Sequence, residues 1–431
     1  MTYQTEKKHT SLHSSKSVFL YLSNIIICFF SIASIFSPIR TIPYFNIITA
    51  ILVFTWFVLI ILDDPKFLFL PTTYNFIVYV FIFYTILFPY LFDNNVISNR
   101  FWGLAQIPIF YIAYQNNKQK QKQRINNLII FCSIPFIIIT SLITINAYTF
   151  DPFISRKIKS TELGYRYMEI GIGGYEFVYF LVICVVILLY IVFNNRFKLK
   201  KSSRFLWFFL LILFSINIIM SNYSIALYLI LISFTIRLFI KARNKKSTLY
   251  YALTSFLIII ILSQLFIIDL LNLLIYLSGN SLNASRFFEL KQFISGIGIS
   301  DSIEARFDRW LESLITFIHY PFLGIVQTKL KYSGGFLVGF GQHSQFLDVF
   351  ALFGFVIGLL QIYIFAQPIF SRFKNFDNSY SGLSIQLFIV LFILFTINNA
   401  TPSTGFAFFF IFPAVYDWEQ TYILKKLRKN T

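Results

Sequence analysis

Apolar runs of about twenty residues, divided by short polar or basic stretches, recur along the chain. A bilayer core of about 30 Å takes roughly 20 apolar residues per helix. On that measure the pattern predicts about twelve spans, at 17–36, 44–62, 74–92, 101–115, 125–147, 174–193, 205–221, 224–240, 249–277, 344–366, 383–400 and 405–422. The fourth, RFWGLAQIPIFYIAY, is short and contains Pro108, which makes it the least regular of the set. The first is followed by many further spans and by no small-residue cleavage site, so it reads as an anchor and not as a removed signal peptide.

Two longer polar segments interrupt the runs, 148–173 and 278–342. Within the second, SIEARFDRWLESLITFIHYPFLG changes period, and Ile303, Phe307, Trp310, Leu311, Leu314 and Ile318 fall on one helical face. Arg309 and Glu312 fall on the polar side, with Arg306 at the border beside Trp310 and Phe317. The pattern predicts a helix that lies on the membrane surface or caps the bundle.

Composition agrees with this pattern. The chain is 57% hydrophobic, 20% aromatic and only 13% charged, with a mean hydropathy of +0.71, which excludes an ordinary soluble globule. The expected fold class is all-α, a polytopic membrane protein forming a single integral membrane domain over residues 1–431. Cys28, Cys132 and Cys184 all fall inside apolar runs, where a thiol serves as a small hydrophobe.

A formal charge of +18 raises the question of nucleic acid, but the placement of the basic residues answers it. With the N-terminus in the cytoplasm, about 24 of the 36 Lys and Arg fall in alternate loops on the cytoplasmic side, among them KQKQKQR, NNRFKLKKSSR, KARNKK and the tail KKLRK. These charges are topogenic and no nucleic-acid partner is expected. They put both termini in the cytoplasm, and segments 148–173 and 278–342 outside.

The second external segment leads into GFGQHSQFLDVFALFGFVIGLL, where His343 stands at the edge of an apolar run. A histidine near neutral pH takes a proton from an attacking hydroxyl, while arginine offers phosphate a planar fork of donors. Together they suit transfer of a sugar from a lipid-linked pyrophosphate, chemistry that needs no metal. Asp348 lies about one turn inside the tenth span, where an acid is costly, and is placed to orient His343. Arg156 and Arg309 are further candidates for substrate phosphate, although Arg309 is also spaced to pair with Glu312 at i,i+3. His319 is assigned no role in the chemistry. There is no Asp-x-Asp, P-loop, HExxH or CxxC motif, which argues against metal-dependent nucleotide-sugar transfer. Gly171, Gly173 and Gly174 read as a turn or a tight helix contact.

RFDRW with Arg306 four residues before Trp310, HYPFLGI with Pro321 and Gly324, QHSQFL with His343 four residues before Leu347, and the later Gly354 together resemble a known pattern. It is that of the bacterial O-antigen polymerase and O-antigen ligase superfamily, which runs R-x3-W, P-x-x-G, H-N-x-x-L and Gly. The chain departs from it at Ser344, where Asn is usual, and in SNYSIA (Ser221 to Ala226), which lacks the arginine many members carry after the seventh span.

The resemblance implies a metal-independent, inverting glycosyltransferase of GT-C-like architecture with no cofactor. It would act on undecaprenyl-pyrophosphate-linked glycans at the outer face of the cytoplasmic membrane. Arg306 would bind pyrophosphate and His343 would act at the acceptor hydroxyl, with Arg166 loosely matching the other external arginine. The leading expectation is a polysaccharide polymerase for O-antigen, capsule or exopolysaccharide, with a flippase and a chain-length regulator as partners. The runner-up is the ligase that moves finished polymer to lipid A core. A lipid-linked oligosaccharide flippase or transporter is the alternative of another class, disfavoured because the midplane of the spans is almost uncharged.

Overall fold

The computed structural model describes residues 2–91, 95–116, 119–160, 163–193, 201–239, 268–269, 271–279, 282–295, 301–326, 331–333, 336–338, 340–341, 343–373, 378–399 and 401–418. These residues are helical apart from their connections and one small hairpin, in which Lys331–Ser333 pairs antiparallel with Phe336–Val338.

Six helices among the described residues are long and apolar enough to cross a membrane: Val18–Ile35, Phe45–Asp63, Arg124–Phe150, Tyr175–Phe193, Ser203–Met220 and Gln345–Ser371. Three shorter apolar helices, Thr73–Leu87, Ser224–Phe234 and Gly382–Ile397, accompany them. The protein is therefore an all-helical polytopic membrane protein. Of the expected ninth span, residues 249–267 and 270 lie outside the described residues.

Burial explains why some spans look more lipid-like than others. Every side chain of Tyr175–Phe193 from Phe177 to Ile191 is buried, so this helix, apolar all round, is a central post. Phe45–Asp63 is equally apolar but buries only Thr49, Trp56, Ile60 and Asp63, and its remaining surface faces outward as a lipid-facing helix does. The expected fourth span falls in the helix Asn95–Asn116, which contains Pro108 and is not among the six helices long and apolar enough to cross. Its Ile107, Phe110, Tyr111, Ile112 and Tyr114 are all fully enclosed. Over these positions the helix is enclosed by its neighbours, so it needs no continuous apolar surface of its own. Tyr114 and Asn126 also enclose the buried Asp417 carboxylate, the hydroxyl donating at 2.8 Å and the amide at 2.7 Å.

One irregularity shapes the site. The helix Gln345–Phe373 is broken at Gly354, whose φ of 78° and ψ of −176° are open essentially only to glycine. A break at membrane depth strands backbone groups that lipid cannot satisfy. Here the segment after the amphipathic helix fills it. Ile325 N–H donates to Ala351 O at 3.1 Å and Val326 N–H to Leu352 O at 3.0 Å, while Phe355 N–H donates to Pro321 O at 2.7 Å. Such close approach leaves no room for side chains. A Cβ on Gly354 would lie 2.1 Å from Phe322 O, and one on Gly324 2.2 Å from Leu352 O.

Candidate functional site

The change of hydrophobic period after residue 300 produces the helix Asp301–His319. Its polar side faces the protein: Glu312, Ser313 and Thr316 are buried against the Gln345–Phe373 helix, while Phe307, Leu311, Leu314 and Ile318 are exposed. Phe322 and Leu323 continue that exposed apolar surface. Of the two arrangements expected, this one fits a helix seated at the membrane surface, because the apolar stripe points away from the bundle.

Ser313 is the pivot of the buried face. Its hydroxyl donates to Asp348 Oδ1 at 2.8 Å, and the same oxygen accepts the Gly341 N–H at 2.8 Å. Gly341 lies so close to the helix that a Cβ there would be 2.0 Å from Arg309 O. The chain two residues before His343 is thus pinned to the Arg309–Ser313 turn. On the other side of His343, Ser344 caps the broken helix by accepting the Leu347 N–H at 3.2 Å. Asn and Ser are both strong N-caps, so the serine at this position preserves the turn that asparagine would make. Ser344 Oγ also donates to Phe395 O at 3.4 Å, and Gln345 N–H donates to Asn398 O at 3.1 Å. His343 itself is exposed between these two anchored residues.

Charge in this cluster is concentrated in two carboxylates. Asp348 is 1% exposed. Burial pushes the Glu312 carboxyl above its ordinary range, the Asp348 charge adds to the rise, and Arg309 opposes it. The Arg309 guanidinium stands 3.6 Å from Glu312 Oε2 with its own side chain 53% exposed, the i,i+3 pair its spacing suggested. Arg306 lies on the same helix, four residues before Trp310, and its side chain lies outside the described residues.

The other two candidate arginines belong to the segment 148–173. Arg156, on the helix Ile154–Ser160, donates to the Asn222 carbonyl and lies over the Tyr223 ring at 5.0 Å from its centroid. Asn222 has a left-handed backbone, with φ 56°. Arg156 therefore sits on the SNYSIA turn, where the sequence lacks an arginine of its own. Arg166 is exposed on the helix Leu163–Ile170. The glycine cluster nearby is a tight contact: Gly173 N–H donates to Thr144 Oγ1 at 2.8 Å and its carbonyl accepts from Ser155 at 2.5 Å.

The structure thus brings Arg309, Ser313, Gly341 and Asp348 together beside His343 and holds Arg156 on a separate turn. Ser313 and Gly341 carry no motif, and only the buried side of the amphipathic helix signals the serine. Among the described residues no three His, Cys, Asp or Glu side chains gather to hold a metal ion. In comparisons with known proteins, no family model, curated protein or solved structure matches the chain.

Proposed function

We propose that the protein is a polysaccharide polymerase that joins undecaprenyl-pyrophosphate-linked repeat units at the outer face of the cytoplasmic membrane. In this reading the chain has twelve spans in a GT-C-like arrangement, with both termini in the cytoplasm and the His343 end of the bundle outside. His343 takes the proton of the acceptor hydroxyl as that oxygen attacks the anomeric carbon of the donor sugar. The bond from the same carbon to the pyrophosphate oxygen breaks with inversion, and Arg306 stabilises the charge that the leaving pyrophosphate acquires.

The observation that supports this reading is the way the motif residues fold together. Trp310, Pro321, Gly324, His343 and Gly354 belong to one unit, in which the P-x-x-G segment fills the helix break and Ser313 anchors the histidine segment. A second feature points the same way: Arg156 occupies the turn where the superfamily pattern carries an arginine after the seventh span. A transporter reading would draw on the broken helix and on an acid buried in the bundle. Here that break is filled by the chain's own backbone, and Asp417, an acid buried in the bundle, is held by Tyr114 and Asn126.

The test is a gel profile of surface polysaccharide from cells whose only copy carries His343→Ala, beside wild type and a deletion. Collapse of the ladder to single repeat units is expected in both. Polymer retained on its carrier but missing from its final anchor would make the protein the ligase. An intact ladder in the deletion strain would overturn the assignment.

A further inference from the structure

A second candidate site lies at the His343 end of the bundle, where a cavity of about 200 Å³ opens among the last turn of Val18–Ile35, the first turn of Phe45–Asp63 and the early part of Asn95–Asn116. It is joined to the His343 region through the chain after Asn398, whose carbonyl accepts the Gln345 amide. Pro402, four residues on, lines the cavity, and a Cβ on Gly103 opposite would lie 3.3 Å from the proline ring.

The polar lining is built from neutral groups and one closed ion pair. Arg40 donates to Glu176 Oε2 at 2.9 Å, a carboxylate brought from the start of the Tyr175–Phe193 helix, so the arginine's charge is already matched. Ser403 Oγ fixes that helix start by donating to Glu176 O at 3.3 Å. The Arg40 Nε is buried without a protein acceptor. Asn46 and Gln106 each add an amide, able both to donate and to accept. Ser34 and Thr49 donate back to Ser31 O at 2.7 Å and Asn46 O at 2.9 Å, which leaves their oxygens as acceptors. Trp102, 37% exposed, completes the wall with a flat apolar face.

An anionic headgroup would have to compete with Glu176 for Arg40, and a purely apolar tail would strand the amides. A neutral ring with hydroxyls on its rim and C–H bonds on its faces suits both features. We propose that this cavity is a sugar subsite that takes one uncharged pyranose ring of the lipid-linked glycan. The assignment of that ring to a glycan substrate rests on the polymerase reading. The subsite holds a repeat unit at the same end of the bundle as His343, with Trp102 against the ring face and Gln106 and Arg40 on its hydroxyls.

The test is saturation-transfer NMR on the full-length protein in lipid nanodiscs, with a panel of neutral methyl glycosides as probes. Transfer to at least one glycoside is expected in wild type and in His343→Ala. It should weaken about tenfold in Gln106→Leu and in Trp102→Ala, each a loss of one contact. Transfer to no glycoside, or undiminished transfer in both variants, would overturn the subsite. So would transfer to glycerol phosphate and to no glycoside, which would make the cavity a lipid-headgroup site. Binding needs no turnover, so its outcome is separate from that of the ladder experiment. Glycoside transfer in a protein whose deletion leaves the ladder intact would keep the sugar site and remove the polymerase.

Discussion

Ser313 and Asp348, 35 positions apart, share a hydrogen bond of 2.8 Å between two helices, and the same serine oxygen holds the Gly341 amide. Asp348 therefore acts on the His343 segment through an intermediary on the amphipathic helix. Ser313→Ala would leave a buried carboxylate oxygen and a buried amide each short of one partner, a cost of roughly 2–4 kcal/mol in all. The expected result is a lower thermal midpoint in detergent and a shortened polysaccharide ladder, both recovered in Ser313→Thr, which keeps the hydroxyl. A Ser313→Ala protein with a wild-type midpoint would show that the relay contributes nothing.

Asp348→Asn separates charge from hydrogen bonding. The amide oxygen still accepts from Ser313, but the negative charge at the start of the broken helix, five residues after His343, is gone. The pH profile of polymerisation should move in this variant, because a histidine near a carboxylate holds its proton to higher pH than one without it. If the profile stays where it is, Asp348 is structural and has no electrostatic link to the histidine.

Gly354 and Gly324 make opposite sides of one contact and should tolerate no substitution. Alanine at either meets a carbonyl at 2.1–2.2 Å, besides the strain of a φ of 78° or 66°. Each change is expected to cost more than about 3 kcal/mol and to abolish accumulation of folded protein in the membrane. Gly279 is the control, since its φ is 54° but a Cβ there meets nothing within 4 Å. Gly279→Ala should cost about 1 kcal/mol, the strain alone. Equal expression of Gly354→Ala and Gly279→Ala would mean that the break is not held as described.

Hydropathy made the helical membrane class legible, along with the six helices long and apolar enough to cross, because apolar length is a local property. The same local measure is blind to what happens inside a run. FALFGFVIGLL is apolar on both sides of Gly354, and the break shows only through the partners it takes from Pro321 to Val326. The amphipathic helix was legible as a periodicity but not in its orientation. In water the apolar stripe packs inward, whereas beside lipid Phe307, Leu311 and Leu314 turn out and Ser313 turns in. Arg40 and Glu176 illustrate a third limit. They are 136 positions apart, and no acid stands between Glu6 and Asp63, so Arg40 has no carboxylate near it in sequence until the fold supplies Glu176.

Glu312 should make stability depend on pH in a direction opposite to that of most surface acids. Burial raises its folded-state value above the ordinary 4.5, so the folded protein holds this proton more tightly than the unfolded chain does. Stability is then greatest below 4.5 and declines as pH rises from there through the raised folded value. Glu312→Gln removes the titration. The difference in thermal midpoint between wild type and Glu312→Gln, followed upward from pH 4.5, should move steadily in favour of the variant. A difference that does not change with pH would mean that Arg309, 3.6 Å away, compensates the buried carboxylate completely.

Arg306 and Arg309 share a helix, and their lysine variants separate phosphate recognition from simple charge. Lysine keeps the charge of either residue but loses the planar fork that grips two phosphate oxygens at once. Arg309 is more than half exposed and forms only a loose pair with Glu312, so Arg309→Lys should leave the ladder and the midpoint close to wild type. Arg306→Lys should cut polymerisation about tenfold or more while leaving the midpoint unchanged, as loss of a contact to the departing pyrophosphate requires. Full activity in Arg306→Lys would remove the bidentate contact from the mechanism. A severe loss in Arg309→Lys instead would move the phosphate site one turn along the helix, toward the residue whose carbonyl already touches the His343 segment.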